Sequence, residues 1–237
     1  MKKIKFSIVT VSYNASKTIK ETLISVCNQS YQNVEYIIID GGSTDGTCEI
    51  VEAYRDKIAY FVSEPDGGIY DAMNKALKVA TGDYVIFMGA DDHFLSFAVL
   101  EEVANKISYQ NDTNAVYYGD VFRPKRNDLY CGIFNKYKLA VKNIPHQALF
   151  YPKTVYKNNL YEVKSKVYAD YLYNLMLFKM HRFRYLGVTI SYFDAALSGI
   201  QKDEYFEKLR KDIIVQNLGI ISYYYSKIYH LLRSFIK

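Results

Sequence analysis

Two adjacent carboxylates, Asp91 and Asp92, come directly after the apolar segment DYVIFM at residues 83–88. Two like charges beside an apolar core are costly to hold unless a cation or hydrogen-bond donors neutralise them. Carboxylate oxygens are ligands that suit Mg²⁺ and Mn²⁺. The pair therefore predicts a divalent-cation site. One alternative remains, because an acid at this position could instead cap a helix that begins near Ser96.

A second acidic segment, DGGSTDGT, begins at Asp40 and follows the apolar run EYIII at residues 35–39. An aspartate at the tip of a strand can accept hydrogen bonds from a base or a ribose, and glycines let the backbone approach a ligand closely. A turn followed by a helix cap at Ser43 or Thr44 would explain the same residues. Neither GxxxxGK[ST] nor GxGxxG occurs, so the phosphate-loop and dinucleotide fingerprints are absent.

The first 110 residues alternate strand and helix patterns. The predicted strands are 6–11, 35–39, 58–62 and 83–88, and the predicted helices are 16–29, 46–54, 69–79 and 96–107. This alternation predicts an α/β fold with a mostly parallel sheet that helices cover on both faces. Polar loops follow every strand, and ligands bind in such sheets outside the carboxyl ends of the strands. We therefore expect a ligand site at that edge.

The pattern is looser after residue 110. Strands are predicted at 115–118, 130–134, 183–186 and 189–193, a helix at 167–180, and two helices within 203–237. We therefore expect three parts: a ligand-binding half at 1–110, a smaller half at 111–202, and a helical tail at 203–237.

Composition excludes several classes of protein. The 237 residues are 50% hydrophobic and 23% charged, with 12 Gly and 4 Pro, which excludes a disordered chain, a collagen-like repeat and a small disulfide scaffold. Cys27, Cys48 and Cys131 have no CxxC spacing, which argues against a zinc ribbon and fits a reducing compartment. No run reaches the roughly 18 apolar residues of a membrane span. We therefore predict a cytoplasmic protein, either soluble or peripheral on a membrane.

Charge is distributed unevenly along the chain. Residues 1–110 carry 10 Lys/Arg and 15 Asp/Glu, whereas residues 111–237 carry 20 and 10. The basic second half indicates a polyanionic partner. An anionic membrane fits better than nucleic acid, because the basic residues are dispersed and no nucleic-acid-binding module occurs.

The end of the chain, ISYYYSKIYHLLRSFIK, combines apolar and aromatic residues with three cations and no acid. A helix with this composition lies comfortably in a membrane interface. Packing on the protein's own core, or on a second subunit in a homodimer, is the alternative.

Four segments in a fixed order carry a family resemblance: TVSYNA (10–15), IIIDGGSTDGT (37–47), SEPDGGIYDAMNKAL (63–77) and TGDYVIFMGADD (81–92). Together they resemble the family 2 glycosyltransferases of the GT-A fold, and most of all the enzymes that transfer sugars in bacterial O-antigen, capsule or exopolysaccharide assembly. Weaker similarity continues at IPHQALFY (144–151), YADYLYNLML (168–177) and SYFDAALSGI (191–200).

The resemblance implies roles for residues of the first half. Thr10 and Tyr13 match the segment that lies against the nucleotide base, with Tyr13 in the stacking position. Asp40 matches the residue that contacts the base, and Asp66 matches a position near the nucleotide and the donor sugar. Asp91 matches the acid that binds Mn²⁺ or Mg²⁺, and Asp92 stands beside it.

In the second half, the resemblance makes Asp170 the catalytic base at the start of a helix. It also places His146, with Gln147, in the donor or acceptor pocket. From the residues alone, Asp170 also fits a first-turn acid that the helix dipole stabilises. A lone histidine beside the turn residue Pro145 also fits a structural role.

Two positions depart from the family pattern. Many members read Asp-x-Asp-Asp, but Gly89 occupies the first of these positions here. The arginine that is frequent in the helix after the third loop is replaced within Met73-Asn74-Lys75. Lys75 supplies that positive charge only if the helix directs it at the phosphates.

The resemblance thus implies an inverting, metal-dependent transferase that moves a hexose from a UDP-linked nucleotide-sugar to a hydroxyl of a glycan or lipid-linked oligosaccharide. Residues 1–110 would bind the donor, 111–202 the acceptor, and 203–237 would form an amphipathic tail. A nucleotidyltransferase is a weaker alternative, because VSYNASKT lacks a glycine-rich basic loop after the first strand. A membrane-associated accessory subunit with a degenerate nucleotide site is another, and Gly89 is its only support.

Overall fold

The computed structural model describes residues 3–193 and 202–235, so most of the SYFDAALSGI segment lies outside the described residues. The described strands are Phe6–Ser12 (β1), Val34–Asp40 (β2), Tyr60–Ser63 (β3), Tyr84–Phe87 (β4), His93–Phe94 (β5), Val116–Arg123 (β6), Asp128–Tyr130 (β7), Leu149–Pro152 (β8) and Phe183–Tyr192 (β9). The described helices are Ile19–Cys27 (α1), Thr47–Glu52 (α2), Ile69–Val79 (α3), Val99–Gln110 (α4), Lys136–Leu139 (α5), Lys153–Tyr156 (α6), Ala169–Met180 (α7), Glu204–Leu218 (α8) and Ile220–Ser234 (α9).

The strands form one mixed sheet in the order β3-β2-β1-β4-β8-β6-β9-β5, with β7 paired to β6. The pairs β3–β2, β2–β1 and β1–β4 are all parallel, as the sequence predicted. Strand β8 joins the two halves because it pairs antiparallel with both β4 and β6. The carboxyl ends of β1 to β4 therefore meet at one edge, which is where the polar loops lie.

Several elements of the second half differ from the predicted ones. Of the strand expected at 130–134, only Tyr130 belongs to a strand, β7, because Cys131 and Gly132 have φ angles of 141° and 59° that break an extended chain. The strands expected at 183–186 and 189–193 are a single strand, β9, which pairs with β6 through register shifts around Asp120. The break between the two predicted strands is therefore an irregularity within one continuous strand. Strands β5 and β8 were not predicted.

Helices cover both faces of the sheet. Along β1, Phe6 and Ile8 belong to one hydrophobic cluster, and Val9 and Val11 to the other. This alternation follows from the two-residue period of a strand and shows that β1 is buried on both faces. Both clusters include residues from before and after position 110, so the two predicted halves share their cores.

Helix α9 presents its apolar side outward. The side chains that it buries are small and polar, Ser222 and Ser226. The exposed ones are large and apolar or aromatic: Ile220, Ile221, Tyr224, Tyr225, Ile228, Leu231 and Leu232. Among the described residues, no helix is both long enough and apolar enough to cross a membrane.

Glu35 on β2 ties the start of β1 to the loop before β4. Its carboxylate accepts hydrogen bonds from Lys5 Nζ at 2.6 Å, from Thr81 N at 2.5 Å and from Gly82 N at 2.9 Å, and also from the hydroxyl of Ser7. Burial alone would raise the pKa of Glu35, but these hydrogen bonds, that of Lys5 above all, lower it to about 2. The ionised carboxylate therefore stabilises the fold.

Replacing this carboxylate by an amide, Glu35→Gln, should destabilise the protein at pH 7 by about 2 kcal/mol, a figure reduced for partial solvent screening. Because the folded-state pKa is depressed, the contribution is complete above the ordinary value of 4.5 and disappears as the pH falls through about 2. Urea unfolding should show a gap between wild type and variant that is about half as large at pH 3 as at pH 7. The exposed Glu52→Gln is the control, and an equal gap at both pH values contradicts the account.

Candidate active site

The loops after β1, β2 and β3 meet at the carboxyl edge of the sheet. Tyr13, after β1, is 67% exposed. A Cβ atom on Gly41, after β2, would lie 2.8 Å from Asp66 Oδ2 and 3.3 Å from Tyr13 Cδ2. The bare backbone of Gly41 thus lets the Tyr13 ring and the Asp66 carboxylate approach each other. An exposed aromatic ring in this position can stack on a planar ring of a ligand.

Asp40 is fully buried at the end of β2. Its Oδ1 accepts from the hydroxyls of Ser12 at 2.8 Å and Ser43 at 2.6 Å, and its Oδ2 accepts from the Ser63 hydroxyl at 2.7 Å. Burial would raise the pKa of Asp40, but the hydrogen bonds, those of Ser43 first, lower it. The carboxylate therefore fastens the loops after β1, β2 and β3 to one another.

Thr10 and Lys75 are engaged elsewhere in the structure. Thr10 is fully buried in β1, and its Oγ1 lies 2.9 Å from the Tyr36 hydroxyl. Lys75 Nζ lies 2.8 Å from Glu64 Oε1 and donates to the Pro65 carbonyl at 3.2 Å. Thr10 is thus a core residue behind the Tyr13 loop. Lys75 holds the 64–68 loop on α3, and Glu64 balances its charge.

The loop from Gly89 to Asp92 follows β4. Asp92 is 8% exposed, its Oδ2 accepts from Gly89 N at 2.8 Å, and its Oδ1 accepts from Gln147 Nε2 at 3.1 Å. Burial raises the pKa of Asp92, although the neighbouring His146 acts in the opposite direction. Helix α4 begins at Val99 without a side-chain cap, so the capping alternative for the acidic pair is wrong.

Gly89 leaves space that the two carboxylates use. A Cβ atom there would lie 2.9 Å from Asp92 Oδ2 and 3.0 Å from Asp91 Oδ1. Both carboxylates therefore border the same small volume, and a side chain at position 89 would push them away from it. Gly89, which stands in place of the first acid of the family pattern, thus leaves this volume open to both carboxylates.

The oxygens of this loop fit a divalent cation that arrives with a ligand. Asp91 is exposed, and Gln147 Oε1 is a buried acceptor without a hydrogen-bond partner, on the amide that contacts Asp92. In the described part of the chain, no group of three or more His, Cys, Asp or Glu residues could hold a metal alone. Mg²⁺ sites commonly use one or two carboxylates and complete the shell with substrate phosphates. The exposed carboxylate of Asp91 is accessible to such a cation.

Asp170, in the first turn of α7, lies across the cleft from this loop. Nδ1 of His146 is 3.7 Å from Asp170 Oδ2. Burial would lower the pKa of His146, but the nearby carboxylate of Asp170, with the charges of Asp92 and Asp91, raises it overall. The acidic groups on either side of His146 therefore favour its protonated form.

Three side chains that the sequence did not indicate hold Asp170 in place. Asn143 Nδ2 donates to Asp170 Oδ2 at 2.8 Å, and the Tyr70 hydroxyl lies 3.2 Å from Oδ1. Asn174 Nδ2 donates in turn to Asn143 Oδ1 at 2.8 Å. Single Asn and Tyr residues carry no signal of their own in one sequence. The only hint was that Asn143 stands three positions before His146.

Removing the amide that orients Asp170, in Asn143→Ala, should lower kcat about 10- to 100-fold, because hydrogen bonds to charged groups contribute about 1.5–3 kcal/mol. The KM for the donor should stay within about twofold, since Asn143 acts through Asp170 and not on the donor. Steady-state kinetics of the variant and of the exposed Asn158→Ala, as control, test this. A raised donor KM with unchanged kcat would contradict the positioning role.

One cleft of about 680 Å³ collects the reactive groups. It is lined by Gly89, Asp91, Asp92, His146, Gln147 and Asp170. The structure thus brings the predicted cation ligands and the predicted base together. Tyr13, Asp40 and Asp66 lie at the neighbouring strand ends and do not line this cleft.

The parallel half-sheet with its strand-end loops, and the acidic pair that shares a cleft with a third carboxylate, Asp170, are the features of a GT-A glycosyltransferase that uses nucleotide-sugar donors. Residues 7–197 match the profile of "Glycosyl transferase family 2", and the chain belongs to this family. A "PGL/p-HBAD biosynthesis glycosyltransferase" of Mycobacterium bovis (strain BCG / Pasteur 1173P2) is 31% identical over 212 residues, which are 86% of this chain and 82% of the relative. The Escherichia coli protein "UDP-Glc:alpha-D-GlcNAc-diphosphoundecaprenol beta-1,3-glucosyltransferase WfaP" is 26% identical over 223 residues, 90% of this chain and 86% of the relative.

Solved structures share the fold at low sequence identity. Residues 1–349 of S. aureus TarS in complex with UDP-GlcNAc give a TM-score of 0.71 at 21% identity, over 90% of this chain and 67% of that one. Of a longer TarS chain, this protein spans only 43%. The mannosyltransferase PcManGT from Pyrobaculum calidifontis, in complex with GDP-Man and Mn²⁺, gives 0.67 at 16% identity, over 96% of this chain and 73% of that one.

Proposed function

We propose that this enzyme moves a hexose from a UDP-linked donor, with inversion, to a hydroxyl of a glycan or lipid-linked oligosaccharide in bacterial surface polysaccharide assembly. The observation that carries the proposal is the single cleft that holds the Asp91–Asp92 pair on one side and Asp170 on the other. UDP as the nucleotide is supported by WfaP, whose name gives UDP-Glc as donor, and by the TarS complex with UDP-GlcNAc.

The donor nucleotide would lie on the strand ends of residues 1–110. Its base would stack on the exposed ring of Tyr13, next to Asp66. Asp40 would act on the base through the loops that it fastens, because its own carboxylate is occupied by serine hydroxyls. Thr10 would support Tyr13 from within β1.

A divalent cation, Mn²⁺ or Mg²⁺, would be held by Asp91, with Asp92 and Gln147 beside it. When bound, it supplies positive charge that offsets the charge developing on the departing diphosphate. The Mn²⁺ in the PcManGT complex supports this assignment.

Asp170 would take the proton of the acceptor hydroxyl as that oxygen attacks the anomeric carbon. Attack from the face opposite the leaving nucleotide forms the new C–O bond as the bond to the diphosphate breaks, which inverts the configuration. Asn143 and the Tyr70 hydroxyl orient the carboxylate for this step. General-base catalysis of this kind contributes about 10²–10⁴-fold.

The outward face of α9 would rest on the cytoplasmic surface of a membrane. Large apolar and aromatic side chains are exposed there, Lys227 and Arg233 flank them, and α9 contains no acid. Anionic lipids attract such cations, whereas a homodimer through this face would bring like charges together. Residues 111–202 would then bind acceptors close to the membrane surface.

Thermal melting with UDP, GDP and dTDP, each with and without Mn²⁺, tests the proposed function. A ligand that binds only the folded state raises the melting temperature. We expect a Mn²⁺-dependent rise with UDP and a smaller one, or none, with the other nucleotides. If no nucleotide–metal pair changes the melting temperature, the proposal fails and the degenerate accessory subunit is favoured.

A further inference from the structure

The wall of the cleft that is built by the second half is basic. Arg123 from β6, Lys142 from the segment after α5, and Arg210 from α8 line the same cleft as Asp170. His230 from α9 lines it as well. This wall therefore connects the helical tail directly with the reactive centre.

Two of these cations, Lys142 and Arg210, are not closely paired with a carboxylate among the described residues. Arg123 is held by Asp128, with Nε and Oδ1 2.7 Å apart. Lys142 has no carboxylate within ion-pair distance among the described residues, and its Nζ lies 6.0 Å from the centre of the Tyr130 ring. The acid nearest to Arg210 in that part of the chain is Glu207, 4.0 Å away and mostly exposed.

His230 orients the Arg210 guanidinium. Its Nε2 lies 2.7 Å from Arg210 Nη2. Burial, followed by the charges of Arg210 and Arg233, lowers the pKa of His230, so the neutral ring accepts this hydrogen bond. This hydrogen bond fixes the guanidinium of Arg210 between α8 and α9 and leaves its other N–H groups available to a ligand. A guanidinium presented in this way suits phosphate oxygens.

An aromatic groove leads from Lys142 to α9. A second cavity, of about 470 Å³, shares Val141 and Lys142 with the cleft. Its other walls include Tyr137, Tyr225 and Tyr229, and the rings of Tyr137 and Tyr225 are 5.4 Å apart between centroids. The cleft thus offers a carboxylate and two cations, and the aromatic groove that joins it at Lys142 reaches the helix with the exposed apolar face.

We propose that Lys142 and Arg210 bind the diphosphate of a lipid-anchored acceptor, whose tail follows the Tyr137–Tyr225–Tyr229 groove to the apolar face of α9. The order of groups along the cleft matches that of such a molecule: a sugar hydroxyl at Asp170, then phosphates, then an apolar tail. This inference rests on the proposed function, because it assigns an acceptor class to the same cleft. The donor diphosphate, by contrast, belongs to the Asp91 side.

Three probes separate the parts of such an acceptor: farnesyl diphosphate, farnesol and inorganic pyrophosphate. Their affinities are measured by calorimetry on the full chain, below the micellar concentration, first with UDP and Mn²⁺ saturating and then without UDP. We expect farnesyl diphosphate to bind at least about tenfold more tightly than either of the other two, because only it engages both the cations and the groove.

Charge removal identifies the residues. Lys142→Gln and Arg210→Gln should each weaken farnesyl diphosphate about tenfold and leave farnesol within about twofold, since only the phosphate contacts are lost. Arg210→Lys, which keeps the charge but loses the fork held by His230, should be intermediate. The exposed Lys106→Gln on α4 is the matched control and should change nothing.

Each contrary outcome has a distinct meaning. Equal affinity for farnesol and farnesyl diphosphate, or variants that leave farnesyl diphosphate unaffected, would overturn the diphosphate site. If UDP displaces farnesyl diphosphate and the same variants weaken UDP, the cations serve the donor and the inference is also overturned. Failure of the proposed function looks different, because wild type would then show no Mn²⁺-dependent stabilisation by UDP and no donor hydrolysis.

Discussion

Asp170→Asn is expected to lower kcat for sugar transfer about 10²–10⁴-fold, the range typical for loss of a general base. The amide has nearly the same shape as the carboxylate, and its oxygen can still accept the hydrogen bond from Asn143 Nδ2. It cannot, however, take a proton from the acceptor hydroxyl. Donor affinity should stay within about twofold of wild type, because the predicted donor-binding residues Tyr13, Asp40 and Asp66 do not line the cleft that holds Asp170.

Single-turnover transfer and UDP-sugar binding, measured on the same preparations, check this prediction. Asp212→Asn, which removes an exposed acid on α8, is the control for a general effect of charge. Transfer at the normal rate in Asp170→Asn would disprove the base role. A loss of donor binding as large as the loss of rate would instead make Asp170 a donor-binding residue.

Asp91→Asn should cost about 10²–10³-fold in kcat/KM, because charge stabilisation of the leaving group by a cation contributes several kcal/mol. The effect of Asp91→Asn on thermal stabilisation by UDP should appear only when the metal is present. Mn²⁺ should no longer add to the thermal stabilisation by UDP, whereas UDP without metal should stabilise the variant as it does wild type.

Melting curves with UDP across a Mn²⁺ titration measure this effect. The matched control is Asp56→Asn, which removes an exposed acid outside the cleft. If Mn²⁺ still enhances UDP binding by Asp91→Asn, the cation is held elsewhere. Asp92 would be the residue to examine next, since its carboxylate borders the same volume beside Gly89.

The parallel half of the fold could be predicted because its strands are short β-branched runs and its helices have a regular apolar spacing. Helix α3 was predicted with its observed bounds, Ile69–Val79. Strand β8 could not be predicted from LFYP, since four buried residues beside a turn have no periodicity to recognise. Strand β9 was divided into two because the bulge opposite β6 interrupts its pattern.

Some residues of the reactive centre could be predicted because of their positions relative to the strands and helices. Asp91, Asp92 and Asp170 stand at element boundaries, where the sequence shows them, and the fold brings them into one cleft. The side chain of Thr10 could not be oriented, because β1 is buried on both faces and no period distinguishes the two. The ion pair between Lys75 and Glu64 could not be predicted, because the two residues stand eleven positions apart and no local pattern links them.

The central claim is inverting transfer with Asp170 as the base, and the most direct test needs no knowledge of the acceptor. Proton NMR is recorded while the enzyme, with Mn²⁺, slowly hydrolyses an α-linked UDP-hexose from a donor panel, water taking the place of the acceptor. The account predicts that the β anomer of the free sugar forms first and that Asp170→Asn abolishes its formation. First formation of the α anomer, or undiminished hydrolysis by Asp170→Asn, would contradict it.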